Sequence, residues 1–336
     1  MKIYHNLSEF KALKNAVVTI GTFDGVHIGH QKIIKQVVDS ANKQGAESVI
    51  LTFFPHPRMI IDPENQNLKM ISTLSEKAEM MEKLGVDHLI ITPFTRDFSN
   101  QTPADYIKNI LIKNIGTKQI IIGYDHRFGK NRSGNLNDLK QAGKDYGFTL
   151  EEIAEQDIHD VAVSSSKIRE AILAGDVSLA ADYLGYPFSI SGQVIKGDKI
   201  GRTIGFPTAN IFVEETYKLI PSDGIYAVTV EMGSEVGGRK SEVGSELQKP
   251  YTLNPKPSTF IGMAYIGQRP TINGMTRNIE VNIFDFNKEI YGQKITMNFL
   301  KFLRHDEKFT SLENLKVQLQ LDKKNTLEYF ALEYKG

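Results

Sequence analysis

The sequence predicts two folds in series: a parallel α/β sheet with helices on both faces, then an antiparallel sheet or small barrel closed by a helix. Three observations carry this. From Val17 to Thr149, apolar strand-like runs alternate with amphipathic helical stretches, the pattern of a doubly wound parallel sheet. After Phe188, short segments rich in β-branched and aromatic residues follow one another between Gly, Pro, Asn and Asp, which reads as antiparallel β. Residues 311–332 then show a helical pattern.

In order along the first half, strands are expected at 17–20, 48–53, 88–92, 119–123 and 149–153. Helices are expected at 31–42, 73–84 and 103–113, where apolar residues recur at helical spacing. Ser164, Ser165 and Ser166 precede a helical run from Lys167 to Ala174 and read as caps. A further short helix runs to Leu184, and Tyr186-Pro187-Phe188 marks the boundary between domains 1–185 and 186–336. In the second half, strands are expected at 189–195, 226–231, 260–266, 279–284 and 294–303. Residues 233–257 are polar and repeat Ser-Glu-Val-Gly, which predicts a long mobile hairpin loop.

Composition narrows the function. The 336 residues suffice for about two domains. Forty basic and forty acidic residues cancel, which argues against a protein that coats nucleic acid. No cysteine is present, so disulfides and thiolate zinc sites are excluded. The segment Met1–Asn6 lacks the apolar core of a signal peptide. No uncharged apolar run approaches the ~20 residues of a membrane helix. The expected location is the cytoplasm, with no membrane and no nucleic-acid partner.

The most informative stretch is Gly21-Thr22-Phe23-Asp24-Gly25-Val26-His27-Ile28-Gly29-His30. It joins a buried strand to a helix. Such a turn aims backbone N–H groups and the positive end of a helix dipole at one spot. His27 and His30 add donors there, so a polyphosphate is the expected guest. Asp24 has two readings, as a nucleotide contact or as a stabiliser of the turn.

Three more clusters can converge on it. Pro55-His56-Pro57 ends the second strand, and its prolines are expected to hold the chain extended and out of a helix. Asp125, Arg127, Phe128 and Arg132 follow the fourth strand. Ser165, Ser166 and Arg169 open a helix. His56 either touches a ligand or packs a turn, and Arg132 either binds or is solvated.

Together these clusters resemble the FMN adenylyltransferase module of bacterial bifunctional riboflavin kinase/FAD synthetases, within the HxGH nucleotidyltransferase superfamily. The resemblance covers the module's whole length and keeps the order of the clusters. It implies attack of the FMN phosphate on the α-phosphorus of ATP, with pyrophosphate leaving and no covalent enzyme intermediate. His27 and His30 are then catalytic. Gly21, Phe23, Asp24, Gly25, Gly29, Ser165 or Ser166, and Arg169 then bind ATP, and Asp125 and Arg127 lie where the family contacts nucleotide or flavin. Pro55, His56, Pro57 and Phe128 form the flavin wall.

In the second half, Gly192, Gly197, Gly201 and Gly205 make a backbone-exposing stretch around Arg202 and ahead of Pro207-Thr208-Ala209-Asn210. Its N–H groups can hold phosphates. Thr208 and Asn210 offer the neutral oxygens that Mg²⁺ takes when ATP and water complete its shell. The Pro-Thr-Ala-Asn run resembles the riboflavin kinase signature. The likeness continues through Pro221–Tyr226, Ile266–Thr271, Glu280–Gly292 and Leu303–Phe309. It implies a six-stranded antiparallel barrel with a terminal helix, and Glu280 as the base toward the riboflavin 5′-hydroxyl. Arg304 and Phe309 have two readings, as parts of a flap over the flavin or in plain surface and core roles. The implied ligands are riboflavin, FMN, FAD, ATP, ADP and pyrophosphate, with FMN and FAD as substrate and product.

Three rivals share parts of this pattern. An adenylyltransferase of another substrate would not need Pro-Thr-Ala-Asn. A class I aminoacyl-tRNA synthetase would need an anticodon module and usually a Lys-Met-Ser-Lys-Ser loop. A flavin sensor would bind FMN without turnover.

Overall fold

The computed structural model describes residues 1–62, 64, 67–124, 126–153, 163–197, 200–232, 258–271 and 274–333. The polar stretch 233–257 and Asp125 lie outside them. The chain forms two compact units. The first holds Met1–Arg169, Tyr183–Gly185 and Tyr217–Leu219. The second holds Glu170–Asp182, Tyr186–Thr216 and Ile220–Gly336.

The first unit is built on strands β1 (Lys2–Tyr4), β2 (Ala16–Ile20), β3 (Glu47–Phe54), β4 (His88–Pro93), β5 (Thr117–Gly123) and β6 (Thr149–Ile153). Their order is β1-β4-β3-β2-β5-β6, and every adjacent pair is parallel. The inner strands are apolar on both faces. Ala16, Val18 and Ile20 of β2 join one core cluster and Val17 the other. Val49 and Leu51 of β3 separate from Ile50 in the same way. A sheet buried on both sides must be covered on both sides. Helices α1 (Ile28–Gln44), α2 (Pro57–Ile61) and α3 (Leu74–Lys83) follow in order. Ile34, Val37, Ala78 and Met81 of α1 and α3 fill one core. The other is covered by a helix that starts after α4 (Arg96–Ser99), as α5 (Pro103–Asp105). It continues π-wound over Tyr106–Ile115. Helix α6 (Leu136–Tyr146) completes that face.

The second unit is a closed barrel. Its strands are β7 (Phe188–Ile195), β8 (Ala209–Phe212), β9 (Gly224–Met232), β10 (Ser258–Thr271), β11 (Gly274–Ile283) and β12 (Lys294–Arg304). They close in the order β10-β11-β8-β7-β12-β9, and every pair is antiparallel. Residues alternate between buried and open along β7. Phe188, Tyr226, Met297 and Phe299 fill the lumen. Helices α7 (Ser165–Leu173) and α8 (Val177–Leu184) precede the barrel, α9 (Ile200–Thr203) lies between β7 and β8, and α10 (Leu312–Glu333) follows it. Leu319 of α10 packs on Phe206, Ile225, Met263 and Phe284.

Gly116 ends the π-wound helix with φ 78°. A Cβ there would stand 2.0 Å from the Leu13 carbonyl oxygen. Gly116→Ala is therefore expected to destabilise the first unit by about 3 kcal/mol or more, combining left-handed strain with a backbone clash. Urea unfolding monitored by a probe in that unit measures it, and an unchanged midpoint would contradict the packing described.

Candidate active sites

The turn between β2 and α1 is strained and tightly held. Phe23 and Val26 take φ of 47° and 35°, and Gly25 takes 77°. A β-branched residue at positive φ is a genuine outlier, and each such position costs about 1–3 kcal/mol. The compensation comes from Asp24, which is fully buried. Its carboxylate accepts from Ile71 N at 3.0 and 3.2 Å and from Ser72 N at 3.3 Å. Arg169 Nη2 donates to it at 2.6 Å. Ser165 Oγ donates to the Asp24 carbonyl, and Ser72 Oγ accepts from Gly25 N. Gln31 Nε2 donates to the Val26 carbonyl at 2.8 Å. A Cβ on Gly25 would press Ile71 at 2.9 Å, so the sequence uses glycine there.

His27 caps α1. Its Nδ1 accepts from His30 N at 3.4 Å, which leaves Nε2 to carry the proton of the neutral ring. The His27 and His30 rings stack at 3.6 Å and 20°, with Phe23 edge-on to His30 at 5.2 Å. His30 Nδ1 is buried with no hydrogen-bond partner among the described residues. Burial holds His27 down to about 4 against the pull of Asp24. His30 is lowered by burial, then by His27 and Lys77. Both rings are neutral near pH 7 before a ligand arrives, and an incoming anion raises their affinity for protons.

Ser165 and Arg169 meet this turn at Asp24, and His56 lies within reach of the same carboxylate; the remaining predicted residues have differing roles. The prolines beside His56 do not keep the chain out of a helix. Instead α2 begins at Pro57, because proline is favoured at the first helical position, and His56 Nδ1 caps it through Arg58 N at 3.2 Å. Pro55 borders a cavity of about 720 Å³, with Met59, Ile60, Phe94, Thr95 and Arg96. Phe128 is buried in the core against Tyr106, 5.4 Å between ring centres. Arg127 and Ser166 lie nearer the surface than Arg169, which is buried. Ser164 Oγ accepts from Lys167 N as a cap. Arg169 Nε also donates to the Lys69 carbonyl, so its guanidinium is engaged within the fold.

Sequence reasoning missed several partners. Lys77 Nζ donates to the Thr22 carbonyl at 2.7 Å, and Thr52 Oγ1 donates to the same oxygen. Residues 70–74, which carry Ile71 and Ser72, are fixed from behind. Met70 N donates to the Tyr217 carbonyl and Leu219 N to the Met70 carbonyl. Lys218 Nζ donates to the Ile71 carbonyl at 2.8 Å and pairs with Glu76. The only sequence signal for these lysines is a cation at a core-facing position.

In the barrel, Glu280 pairs in register with Asn210 of β8 and Tyr265 of β10. One of its oxygens accepts from Thr208 Oγ1 at 2.7 Å, and the other from Asn278 Nδ2 at 2.6 Å. Asn282 Nδ2 donates to the Pro207 carbonyl and fixes the Pro-Thr-Ala-Asn run. Gly197 lies so close that a Cβ would meet Asn210 Nδ2 at 2.2 Å, and a Cβ on Gly201 would meet the Phe206 carbonyl at 2.2 Å. On Gly192 it would press Ile211 and Phe212. Gly205 takes φ of 87°, and Arg202 is exposed. Arg304 is held by both oxygens of Asp322, at 2.9 and 2.7 Å, with Phe309 5.8 Å from its charge. Tyr265 OH donates to Asp306 at 3.0 Å, and burial and then Asp306 push its phenol up. Tyr265 thus stays a donor. Among the described residues no cluster of three His, Cys, Asp or Glu could hold a metal by itself. Thr208 and Asn210 instead fit a magnesium ion that brings ATP oxygens and water with it.

Burial holds both His27 and His56 down to about 4 from 6.5. Between those values the unfolded chain binds more protons than the folded one. This contribution to stability is therefore complete above pH 6.5 and is lost as pH falls toward 4. Thermal unfolding of the first unit is expected to show Tm falling across that window, less steeply in His56→Asn. A Tm independent of pH there would contradict the assignment.

Comparisons with known proteins agree with this geometry. The FAD synthetase family model matches residues 9–167, and the riboflavin kinase model matches 184–330. A bifunctional riboflavin kinase/FMN adenylyltransferase from Listeria monocytogenes is 37% identical over 318 residues, covering 94% of this chain and 93% of that protein. The Haemophilus influenzae protein of the same name is 35% identical, covering 97% of each. The Escherichia coli K12 one is 34% identical, covering 98% and 96%. A crystal structure from Streptococcus pneumoniae, described as a macrolide-efflux protein, matches with a TM-score of 0.81 and 30% identity, covering 97% of this chain and 98% of that one. That description belongs to that protein; among the described residues of this chain no helix is long and apolar enough to cross a membrane. With two family models in series and relatives matched over nearly their whole length, the chain belongs to the bifunctional riboflavin kinase/FMN adenylyltransferase family.

Proposed function

We propose that residues 1–185 adenylylate FMN and residues 186–336 phosphorylate riboflavin, each with its own ATP. The observation that carries the first assignment is the stacked His27–His30 pair, with a buried His30 Nδ1 that has no partner among the described residues, beside a strained turn. An FMN phosphate oxygen attacks the α-phosphorus of ATP. The new P–O bond forms as the bond to the β-phosphate oxygen breaks, and pyrophosphate leaves with that electron pair. His27 and His30 donate to phosphate oxygens as charge builds, the kind of preorganised stabilisation that dominates such reactions. No covalent enzyme intermediate is needed. Ser165, Ser166, Arg169, Arg127 and Asp125 serve the nucleotide, Arg169 chiefly by fixing Asp24. The flavin lies along Pro55, His56 and Pro57, and the cavity that Pro55 borders with Met59, Ile60, Phe94, Thr95 and Arg96 offers it a largely apolar wall.

In the barrel, Glu280 orients the riboflavin 5′-hydroxyl and takes its proton as the oxygen attacks the γ-phosphorus, releasing ADP. The carboxylate is preset by two donors, Thr208 and Asn278. Thr208 and Asn210 would hold magnesium, which neutralises phosphate charge when bound. Gly192, Gly197, Gly201 and Gly205 let the backbone approach the phosphates, and Arg304 and Phe309 shape the flap over the flavin.

Incubation with riboflavin and Mg·ATP, followed by chromatography of the flavins, tests the division of labour. His30→Ala is expected to stop FAD while FMN accumulates, with a loss of about 100-fold or more. Asn210→Ala is expected to stop FMN formation while supplied FMN still becomes FAD. Loss of both steps in either folded variant would sink the assignment.

A further inference from the structure

Lys77 is a buried charge with no task among the phosphate and flavin contacts. It lies on α3 at 2% exposure. Burial holds its ammonium down to about 8, with Asp24 pulling the other way. Lysine is almost never fully buried unless paired. Here its hydrogen-bond partner is a neutral carbonyl, that of Thr22, while the Asp24 carboxylate is taken by Arg169. A neutral partner compensates a buried ammonium poorly, and an apolar side chain would fill the space at lower cost. An anion arriving at the turn reverses that balance.

The geometry of one peptide plane says how. In a trans peptide the carbonyl and the next N–H point in opposite directions. Lys77 and Thr52 both grip the Thr22 oxygen, so the Phe23 N–H is turned away from them. Among the described residues that N–H finds no acceptor. Phe23 itself is held at φ 47°. Free backbone donors in such a turn form an anion-binding concavity.

We propose that Lys77 is a positioning residue for adenylyl transfer: it clamps the Thr22 carbonyl so that the Phe23 N–H faces the ATP phosphates, and sets fixed positive charge behind them. This rests on the reading of Gly21–His30 as the ATP site. The groups coupled to Lys77 are Asp24 in the turn, His30 on α1 and His56 after β3, while Arg169 on α7 pairs with Asp24. The histidines are neutral throughout the alkaline range, so Lys77, not either histidine, changes charge there.

The full-length protein is assayed for FMN to FAD, and for riboflavin to FMN as an internal control of folding. Lys77→Met is expected to lower kcat/KM for ATP in FAD formation by about 100-fold, with KM for FMN and riboflavin phosphorylation little changed. Lys77→Arg, which keeps the charge, recovers most of the loss. In the unaltered protein, kcat/KM for ATP falls as pH rises through about 8, and Lys77→Arg moves that limb upward. Near-normal ATP kinetics in Lys77→Met would overturn the proposal, as would a profile flat through that range should the variant fail to fold. His30→Ala, run in parallel, separates the two levels. If it keeps FAD synthesis, the site reading itself fails; if it abolishes FAD synthesis while Lys77→Met does not, only the role of Lys77 fails.

Discussion

The buried pair of Asp24 and Arg169 is the constraint on which the adenylyltransferase site depends. A carboxylate at zero exposure needs both a counter-charge and hydrogen bonds. It finds them in Arg169 and in the Ile71 and Ser72 amides. These bonds tie the turn after β2, the segment before α3 and the start of α7 to one point. The tie lets Phe23 and Val26 remain at positive φ. That in turn sets His27 as the α1 cap and stacks it on His30. Removing either charge would leave the other buried and alone, a loss of about 3–5 kcal/mol.

The barrel site uses charge differently. The carboxylate proposed as its base, Glu280, is held by neutral donors, Thr208 and Asn278. Close backbone packing at Gly197 and Gly201 shapes the approach to Asn210. The strong ion pair there, Arg304 with the buried Asp322, fixes the end of β12 to α10. One chain thus carries two ATP-dependent reactions on unlike scaffolds. In the proposed reading, a parallel sheet offers a strand–helix turn for an adenylyl transfer, and a barrel offers a glycine-lined rim for a phosphoryl transfer.

Much of this was legible in the sequence, because hydrophobic periodicity reports burial directly. The strands at 17–20, 48–53 and 119–123 read as continuous apolar runs since both their faces are covered. The His27–His30 and Pro207–Asn210 motifs are the features on which the two proposed sites rest. Strands β1 and β8 were missed because three and four residues are too few to show a period. The winding of Tyr106–Ile115 is hidden because its buried Ile107, Leu111 and Ile115 are four apart, a spacing that an α-helix also fits. Lys77, Lys218 and Asp322 are buried charges that the sequence analysis does not single out. Their burial depends on partners far away in sequence, which no local pattern encodes. His56 was read as part of a helix-breaking turn and is a helix cap, since Pro57 suits the first helical turn.

Amide hydrogen exchange at Ile71 and Ser72, in the protein as it stands and in Asp24→Ala, tests the central claim most directly. Slow exchange is expected at both amides in the unaltered protein and fast exchange in the variant, with the barrel amides unaffected. Equal protection of Ile71 and Ser72 in the two proteins would show that the Asp24 carboxylate does not organise the site.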